Sequence, residues 1–400
     1  MTNQYSLDYC IGNAIVAFHH EQTANPARLG KTEDILATAC NMESRKISFS
    51  VVMTCYNLEK YVAEAIESVL RQTYDGEKEL IIVDDCSTDG SMEVIRQTLA
   101  RGTNGWPVTT IQTERNSGVA GACDAGWSRA RHEWIIMTDG DDIQDERRLE
   151  LTNELVQRHP DAIMLVGSAK FADIKGNVYG YLGCCGLPYE QSPESSRLGT
   201  PEERLGNYLL PDGPPRWSPF GCYMAVKRSV FTRWGELTKS AGEERTLQDS
   251  TWYLRALLTG PVINSREPLC KYRTRENNIL NRMRDGSSLE GCRAYEMHMI
   301  KFYGLNLKNY RQELRDIKRA KEDTSLTDLT PWQLQQLEAH VSRKLAAYEI
   351  LAGWWELPWR KRLGIALHNP LPANFRHWPW PRLLPFQVYV FLRWAKERRL

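Results

Sequence analysis

Carboxylates stand directly after runs of β-branched and apolar residues in two places. Asp84-Asp85 follows Leu80-Ile81-Ile82-Val83 and continues into Cys86-Ser87-Thr88-Asp89-Gly90, and Asp139-Gly140-Asp141-Asp142 follows Trp134-Ile135-Ile136-Met137. A third apolar run ends in Thr54-Cys55-Tyr56-Asn57. If these runs are neighbouring parallel strands, their polar ends share one rim of a sheet, where ligands of α/β proteins collect. Acids gathered there repel one another unless cations or hydrogen-bond donors meet them. A divalent metal and a ribose with its base would do both. In Asp139-x-Asp141, alternate positions can aim one carboxylate at a ribose hydroxyl and the other at an ion bridging a diphosphate. Magnesium and manganese prefer such hard oxygen ligands. Taken alone a D-x-D says little, because solvated acidic loops are common; its place after an apolar run and behind a second acidic strand end makes it informative.

The elements that would carry these residues follow from periodicity. From Ile47 onward short β-rich runs alternate with helical stretches, the pattern of parallel βαβ units. Strands are expected at 49–54, 79–84, 108–112 and 134–138, with helices at 58–71, 91–100, 119–129 and 145–158 between and after them. A strand at 162–168 precedes a long Gly-, Pro- and Ser-rich stretch, 176–219, of little periodicity, which reads as a functional loop. Regular structure resumes with a strand at 222–226, helices at 228–234 and 248–258, and a closing strand at 269–272. Thr330-Pro331-Trp332-Gln333 combines an N-cap, a proline at the first helical position and a glutamine three residues on, predicting a helix to Ala352. The expected organisation is an extension over 1–46, an α/β catalytic domain over 47–287, a helical region over 288–353 and a tail over 354–400.

Bulk properties exclude several classes. With 400 residues, 42% hydrophobic and 25% charged, the chain is globular and long enough for a core with appendages. Lys+Arg 51 against Asp+Glu 50 leaves +1, so nucleic acid is not expected as a partner. Ten cysteines without a C-x-x-C pair point to reduced thiols and a cytoplasmic setting rather than a zinc cluster or secreted framework. The start lacks the basic region of a signal peptide. The apolar run 383–392 falls short of the roughly 20 residues of a membrane span. No G-x-G-x-x-G follows the first strand, which disfavours a nicotinamide dehydrogenase, and no glycine-rich, lysine-bearing loop is present to cradle a triphosphate.

Val51-Val52-Met53-Thr54-Cys55-Tyr56-Asn57, Ile82-Val83-Asp84-Asp85-Cys86-Ser87-Thr88-Asp89-Gly90-Ser91, Asn116-Ser117-Gly118-Val119 with Ala122 and Gly126, and Met137-Thr138-Asp139-Gly140-Asp141-Asp142 resemble, in order, the motifs of glycosyltransferase family 2. The match runs from about Ser48 to Leu280. The resemblance implies a GT-A fold, that is α/β with a Rossmann-like, mixed but mainly parallel sheet flanked by helices, here with a helical C-terminal extension. It implies an inverting transfer from a nucleoside-diphosphate sugar, a UDP-sugar favoured, to a saccharide or lipid-linked acceptor. By position, Thr54 and Tyr56 would line the nucleotide pocket, Asp85 would contact the base and Asp139 the ribose, and Asp141 would hold Mg2+ or Mn2+. Asp249, in Leu247-Gln248-Asp249-Ser250, would be the general base, since inversion needs a carboxylate opposite the departing diphosphate. As an isolated feature it is equally a helix N-terminal acid favoured by the macrodipole. Trp217, Phe220 and Gly221, with Gln248, would lie beside sugar and acceptor.

Three departures stand out. Cys123-Asp124 occupies positions where the family often has arginine and asparagine. Gln248 replaces a glutamate. Lys271-Tyr272-Arg273-Thr274-Arg275 resembles a segment whose histidine commonly helps hold the metal, but Arg275 takes its place; arginine cannot ligate a cation, yet its fork suits a diphosphate, so Arg275 with Arg273 would stabilise the leaving group and weaken metal dependence. The alternative to an enzyme is a non-catalytic nucleotide-sugar- or acceptor-binding module on the same fold. Between Trp354 and Leu400 six tryptophans alternate with arginines and lysine, a composition for peripheral association with the cytoplasmic face of an anionic membrane, or for packing back on the catalytic domain.

Overall fold

The computed structural model describes residues 46–182, 189, 195–209, 221–241, 248–274 and 289–368. Expectations for the extension, for Trp217, Phe220 and Arg275, and for the tail beyond 368 lie outside the described residues.

The first half is β1 (Phe49–Cys55), α1 (Val62–Leu70), β2 (Lys78–Asp84), α2 (Ser91–Ala100), β3 (Val108–Gln112), α3 (Gly118–Trp127) and β4 (Trp134–Asp139). Then come β5 (Ile143–Gln144), α4 (Arg148–Arg158), β6 (Met164–Ala172), β7 (Val178–Leu182), β8 (Ser195–Leu198) and α5 (Pro201–Tyr208). The core ends with β9 (Met224–Lys227), α6 (Arg228–Trp234), α7 (Leu237–Ala241), α8 (Gln248–Thr259) and β10 (Val262–Arg273), and the chain continues as α9 (Leu289–Glu322), α10 (Pro331–Ala352) and α11 (Trp359–His368).

One sheet of order β3-β2-β1-β4-β9-β6-β10-β5 organises the molecule, with β7 added to β6 and β8 to β10. The pairs β1–β2, β1–β4, β2–β3 and β6–β10 are parallel. β9 is antiparallel to both β4 and β6, so β6 and β10 run in the same direction as β1. The carboxyl ends of all these parallel strands therefore lie on one rim. β1 is buried along its whole length, as expected of a strand covered by helices on both faces. Right-handed crossovers put α1 and α2 on one face and α3 on the other. Helix α3 is made of small residues because it lies tightly on the sheet: a Cβ at Gly126 would stand 2.3 Å from Val52 Cγ1 and 3.1 Å from Val83 Cγ2.

The mixed, mainly parallel α/β sheet with C-terminal helices is the architecture expected. The differences are local. β10 begins at Val262, ahead of the expected 269, because its register with β6 shifts on either side of Pro268 and the break in pattern hides the continuation. β6 runs to Ala172, where it pairs with β7 beyond the end of its apolar run. The 176–219 stretch contains β7, β8 and α5. Thr200-Pro201-Glu202-Glu203 is a capping box of the same kind as the one at Thr330, with Glu203 N donating to Thr200 Oγ1 (3.2 Å) and Thr200 N to Glu203 Oε2 (3.0 Å). The helix at Thr330 starts and ends as predicted.

Helices α9 and α10 pack directly on the α/β core. The Tyr208 hydroxyl of α5 donates to Glu313 of α9 (2.6 Å). Arg204, buried, donates to the Leu257 carbonyl of α8 (2.9 Å) and pairs with Asp328. Gln333 Nε2 of α10 donates to Glu202 (2.9 Å).

Candidate active site

The parallel register of β1 on β4 puts Thr54 opposite Asp139. The two side chains leave the same face, and Thr54 Oγ1 donates to Asp139 Oδ1 at 2.9 Å. Gly140 follows because nothing larger fits: its N–H donates to the Thr54 carbonyl (2.8 Å), and a Cβ would meet that oxygen at 3.1 Å and Leu58 Cδ1 at 3.0 Å. Asp141 and Asp142 are buried beside it. Asp142 Oδ1 accepts the Arg273 N–H (2.9 Å), which ties the end of β10 to this turn. Asp142 Oδ2 has no hydrogen-bond partner among the described residues. Burial, then the charges of Asp141, Cys270 and Asp139, push the Asp142 carboxyl well above its ordinary range.

The loops after β1 and β2 are locked to each other. Asn57, in the left-handed region at φ 54°, donates its N–H to Ser87 Oγ (2.9 Å) and accepts the Thr88 N–H (2.8 Å). Glu59 N donates to Asp89 (3.1 Å), Glu59 accepts the Gly90 N–H (3.0 Å), and Leu58 N donates to Ser91 Oγ (2.7 Å). Tyr56 stands at the edge of this pair of loops, 43% exposed.

Asp85 is buried and faces the start of α3. Its Oδ1 accepts from Thr113 Oγ1 (2.9 Å), Ser117 N (2.9 Å) and Ser117 Oγ (2.7 Å), and its Oδ2 from Gly118 N (2.8 Å). Gly118, at φ 77°, supplies the left-handed turn that aims its N–H at this carboxylate. The Asn-Ser-Gly motif is thus a latch on Asp85, and any base contact is left to Oδ2. Five residues on, the Cys123 thiol is buried and is pushed well up by burial and by the negative charges of Asp139, Asp124, Asp249 and Asp85, in that order. Acids from the loop after β2, the end of β4, α3 and α8 thus all act on one sulfur of α3. Asp124 turns to the other side and caps α7, accepting from Leu237 N (3.0 Å), Thr238 N (2.7 Å) and Thr238 Oγ1 (2.7 Å).

Asp249 sits in the first turn of α8 and accepts the Ser250 N–H (2.8 Å). Burial pushes its carboxyl up to about 6. Gln248 is buried against Gly221, where a Cβ would stand 3.1 Å from Gln248 Nε2 and 3.3 Å from Met137 Cε of β4. Arg273 is buried, donates to Glu64 of α1 (2.6 Å) and lies over the Tyr61 ring (5.3 Å). Its guanidinium is thus committed to α1, and reaching a diphosphate requires exchange of Glu64 for the ligand.

A divalent cation fits the chemistry of the rim. Asp139, Asp142 and Cys222 bring one ligand atom each within 4.8 Å of one another. Magnesium and manganese prefer hard oxygen to sulfur, so the donors suited to such an ion are the two carboxylates. Asp141 is not in that close group. Asp142 is the acid that the D-x-D reading passed over, although it stands next in the sequence; Asp124 and the latch on Asp85 were also missed, because a cap to a distant helix leaves no local pattern.

A family model described as Glycosyl transferase family 2 matches residues 50–208. Glycosyltransferase GlyG of Streptococcus pneumoniae is 34% identical over 58% of this chain and 72% of its own length. The chain belongs to glycosyltransferase family 2. TuaG of Bacillus subtilis, named for teichuronic acid biosynthesis, is 30% identical over 60% of the glycosyltransferase chain and 83% of TuaG. Among solved structures, residues 1–349 of Staphylococcus aureus TarS share 16% identity over 88% of this glycosyltransferase and 92% of that chain, with a TM-score of 0.45.

The latch predicts a stability effect. Asp85→Ala removes the acceptor of the Ser117 N–H and hydroxyl and the nearer acceptor of the Gly118 N–H, while Thr113 Oγ1 keeps the Arg115 carbonyl, and thermal or denaturant unfolding should show a loss of about 2–3 kcal/mol. A variant as stable as wild type would mean that the latch carries no such load.

Proposed function

We propose that this glycosyltransferase moves a hexosyl-type sugar from a nucleoside-diphosphate sugar, a UDP-sugar favoured, to an acceptor hydroxyl with inversion, in the synthesis of a bacterial cell-surface polysaccharide or glycolipid. The observation that carries the reading is the strand-end geometry of this family 2 glycosyltransferase: β1 and β4 pair so that Thr54 stands opposite Asp139 and donates to it at 2.9 Å, beside the buried Asp141 and Asp142. The role for which TuaG is named supports the polysaccharide setting.

In this reading the interlocked loops after β1 and β2 form a preorganised nucleotide pocket. Thr54 and Tyr56 line it, Asp85 meets the base through Oδ2, and Asp139 meets the ribose while Thr54 holds its other oxygen in place. A divalent cation would neutralise charge on the diphosphate; the resemblance assigns it to Asp141, and Asp139 and Asp142 are the carboxylates whose ligand atoms lie within 4.8 Å of one another. Arg273, if freed from Glu64, and Arg275 add cationic stabilisation to the leaving group, which would lessen the need for metal. Gly221 and Gln248, with Trp217 and Phe220, border the sugar and acceptor.

Asp249 takes the acceptor proton. As the acceptor oxygen bonds to the anomeric carbon, the bond to the diphosphate breaks on the opposite face and the nucleoside diphosphate leaves with that electron pair. A carboxyl whose pKa is raised by burial is a stronger base once ionised, and near pH 7 it is still mostly ionised. Among the described residues no helix is long and apolar enough to cross a membrane. We place the enzyme in the cytoplasm, at the inner membrane face: Trp359 of α11 is 59% exposed beside Arg360 and Lys361, with the Arg360 guanidinium 5.7 Å from the Trp359 ring, and cations with indoles suit an anionic headgroup layer.

Asp249→Asn should lower turnover by about 10²–10⁴-fold while nucleotide binding is kept. Since a base works ionised, wild-type turnover should be level above a midpoint near pH 6 and fall about tenfold per unit below it. Donor binding without transfer to any acceptor, and indifferent to Asp249→Asn, would instead favour a non-catalytic binding module. Deleting 354–400 should abolish co-sedimentation with anionic liposomes, and retained binding would remove the membrane role.

A further inference from the structure

Six residues after Asp249, on the same helix, Arg255 is wholly buried. Its Nε donates to Asp316 Oδ2 of α9 at 2.7 Å and its Nη2 to Asp316 Oδ1 at 3.0 Å, a bidentate fork with both partners out of solvent. Nη1 donates to the Gly235 carbonyl, between α6 and α7, at 3.0 Å. The guanidinium also lies over two indoles, Trp252 at 4.7 Å and Trp234 at 5.5 Å. Gln312 Nε2 steadies Asp316 Oδ1 (3.0 Å), and Arg319 Nη1 donates to the Trp234 carbonyl (2.6 Å). Trp252 in turn packs on Trp127 of α3 (4.5 Å) and Phe231 of α6 (5.7 Å). Helices α3, α6, α8 and α9 thus converge on one guanidinium.

A buried ion pair is a poor device for stability, because desolvation offsets much of its attraction and an apolar cluster of the same volume does as well. It differs from an apolar contact in direction. A fork bonded to a carboxylate fixes both the rotation and the axial position of a helix, whereas packed side chains allow it to slide. Along a rigid helix six residues span about 9 Å, so the position fixed at Arg255 is passed directly to the first turn. The opposite wall is tied to the same hub: α3 carries Cys123, Trp127 touches Trp252, and Asp124 caps α7 immediately after Gly235.

We infer that Arg255 and Asp316 are positioning residues for the transfer reaction: α9 is the back wall that sets where Asp249 stands relative to the donor. The inference rests on Asp249 acting as the base. It assigns the helical extension a share in catalysis without contact with substrate.

The test uses the full chain and needs no identified acceptor. Release of nucleoside diphosphate from UDP-GlcNAc, UDP-glucose and UDP-galactose is followed with Mn2+ and water as acceptor, well below every variant's melting temperature, and UDP binding is measured by calorimetry. Asp316→Asn and Arg255→Lys, which keep size or charge but lose the fork, should lower kcat roughly 10–100-fold, the scale of a misplacement of about 1 Å, with UDP affinity within about twofold of wild type. Should either variant fail to fold, Gln312→Ala, which loosens Asp316 and also removes the acceptor of Arg315 Nε, should show the same split in smaller measure. A kcat within about twofold of wild type in folded Asp316→Asn, with only the melting temperature lowered, overturns the inference. Asp249→Asn run alongside separates the two readings: turnover lost there but kept in Asp316→Asn removes this inference alone, whereas turnover kept in Asp249→Asn removes the base assignment and this inference with it.

Discussion

Parallel strands that end together bring their terminal polar residues together, and here those residues are acids. Asp84, Asp85, Asp139, Asp141 and Asp142 occupy one rim because β1 pairs in register with β2 on one edge and β4 on the other. Like charges so close would drive the rim apart or take up protons. The protein meets them with donors: three groups from the Asn116-Ser117-Gly118 turn and Thr113 on Asp85, Thr54 on Asp139, and the Arg273 amide on Asp142. These bonds also shape the rim, since each one joins two loops that would otherwise move separately.

The second constraint is the placement of a further acid that belongs to a helix and not to a strand end. Asp249 comes from α8, far along the chain, and nothing in the sheet register fixes it. Its position follows from a chain of contacts through α3: small residues let α3 lie close on β1 and β2, Asp124 caps α7, and Trp127 packs on Trp252 of α8. The helices after the core complete this enclosure through Arg255–Asp316 and Tyr208–Glu313. Burial has a cost at such sites, seen in the raised pKa of Asp249 and of Glu313, the latter pushed up to about 7. At Asp249 that cost suits the proposed role of a base that must hold a proton briefly.

The parallel core was legible because each of its strands is a short apolar run flanked by helical periodicity, and β3 and α2 fall on the residues anticipated. The acid-bearing strand ends were legible for the same reason: a strand and the turn at its carboxyl end are adjacent in sequence. The features that escaped were non-local or masked by a breaker. Pro268 concealed the first half of β10, since a register shift resets the alternation that reveals a strand. The capping box at Thr200 carries the same signal as the one at Thr330, but it opens a helix of 8 residues set in a polar stretch, with too little apolar periodicity to draw notice. The partners of Asp124 and Arg255 lie 113 and 61 residues away, and no spacing rule reaches that far.

The central claim is that acids from separate strand ends form one nucleotide-sugar site. Titration of UDP and UDP-GlcNAc with Mn2+, read as thermal stabilisation, tests it most directly, since binding to the folded state raises apparent stability. Comparison of the wild type with Asp139→Ala should show a clear rise in melting temperature for the wild type and almost none for the variant. An equal rise in both proteins, or no response of the wild type to these nucleotides or to GDP-mannose, would contradict the account.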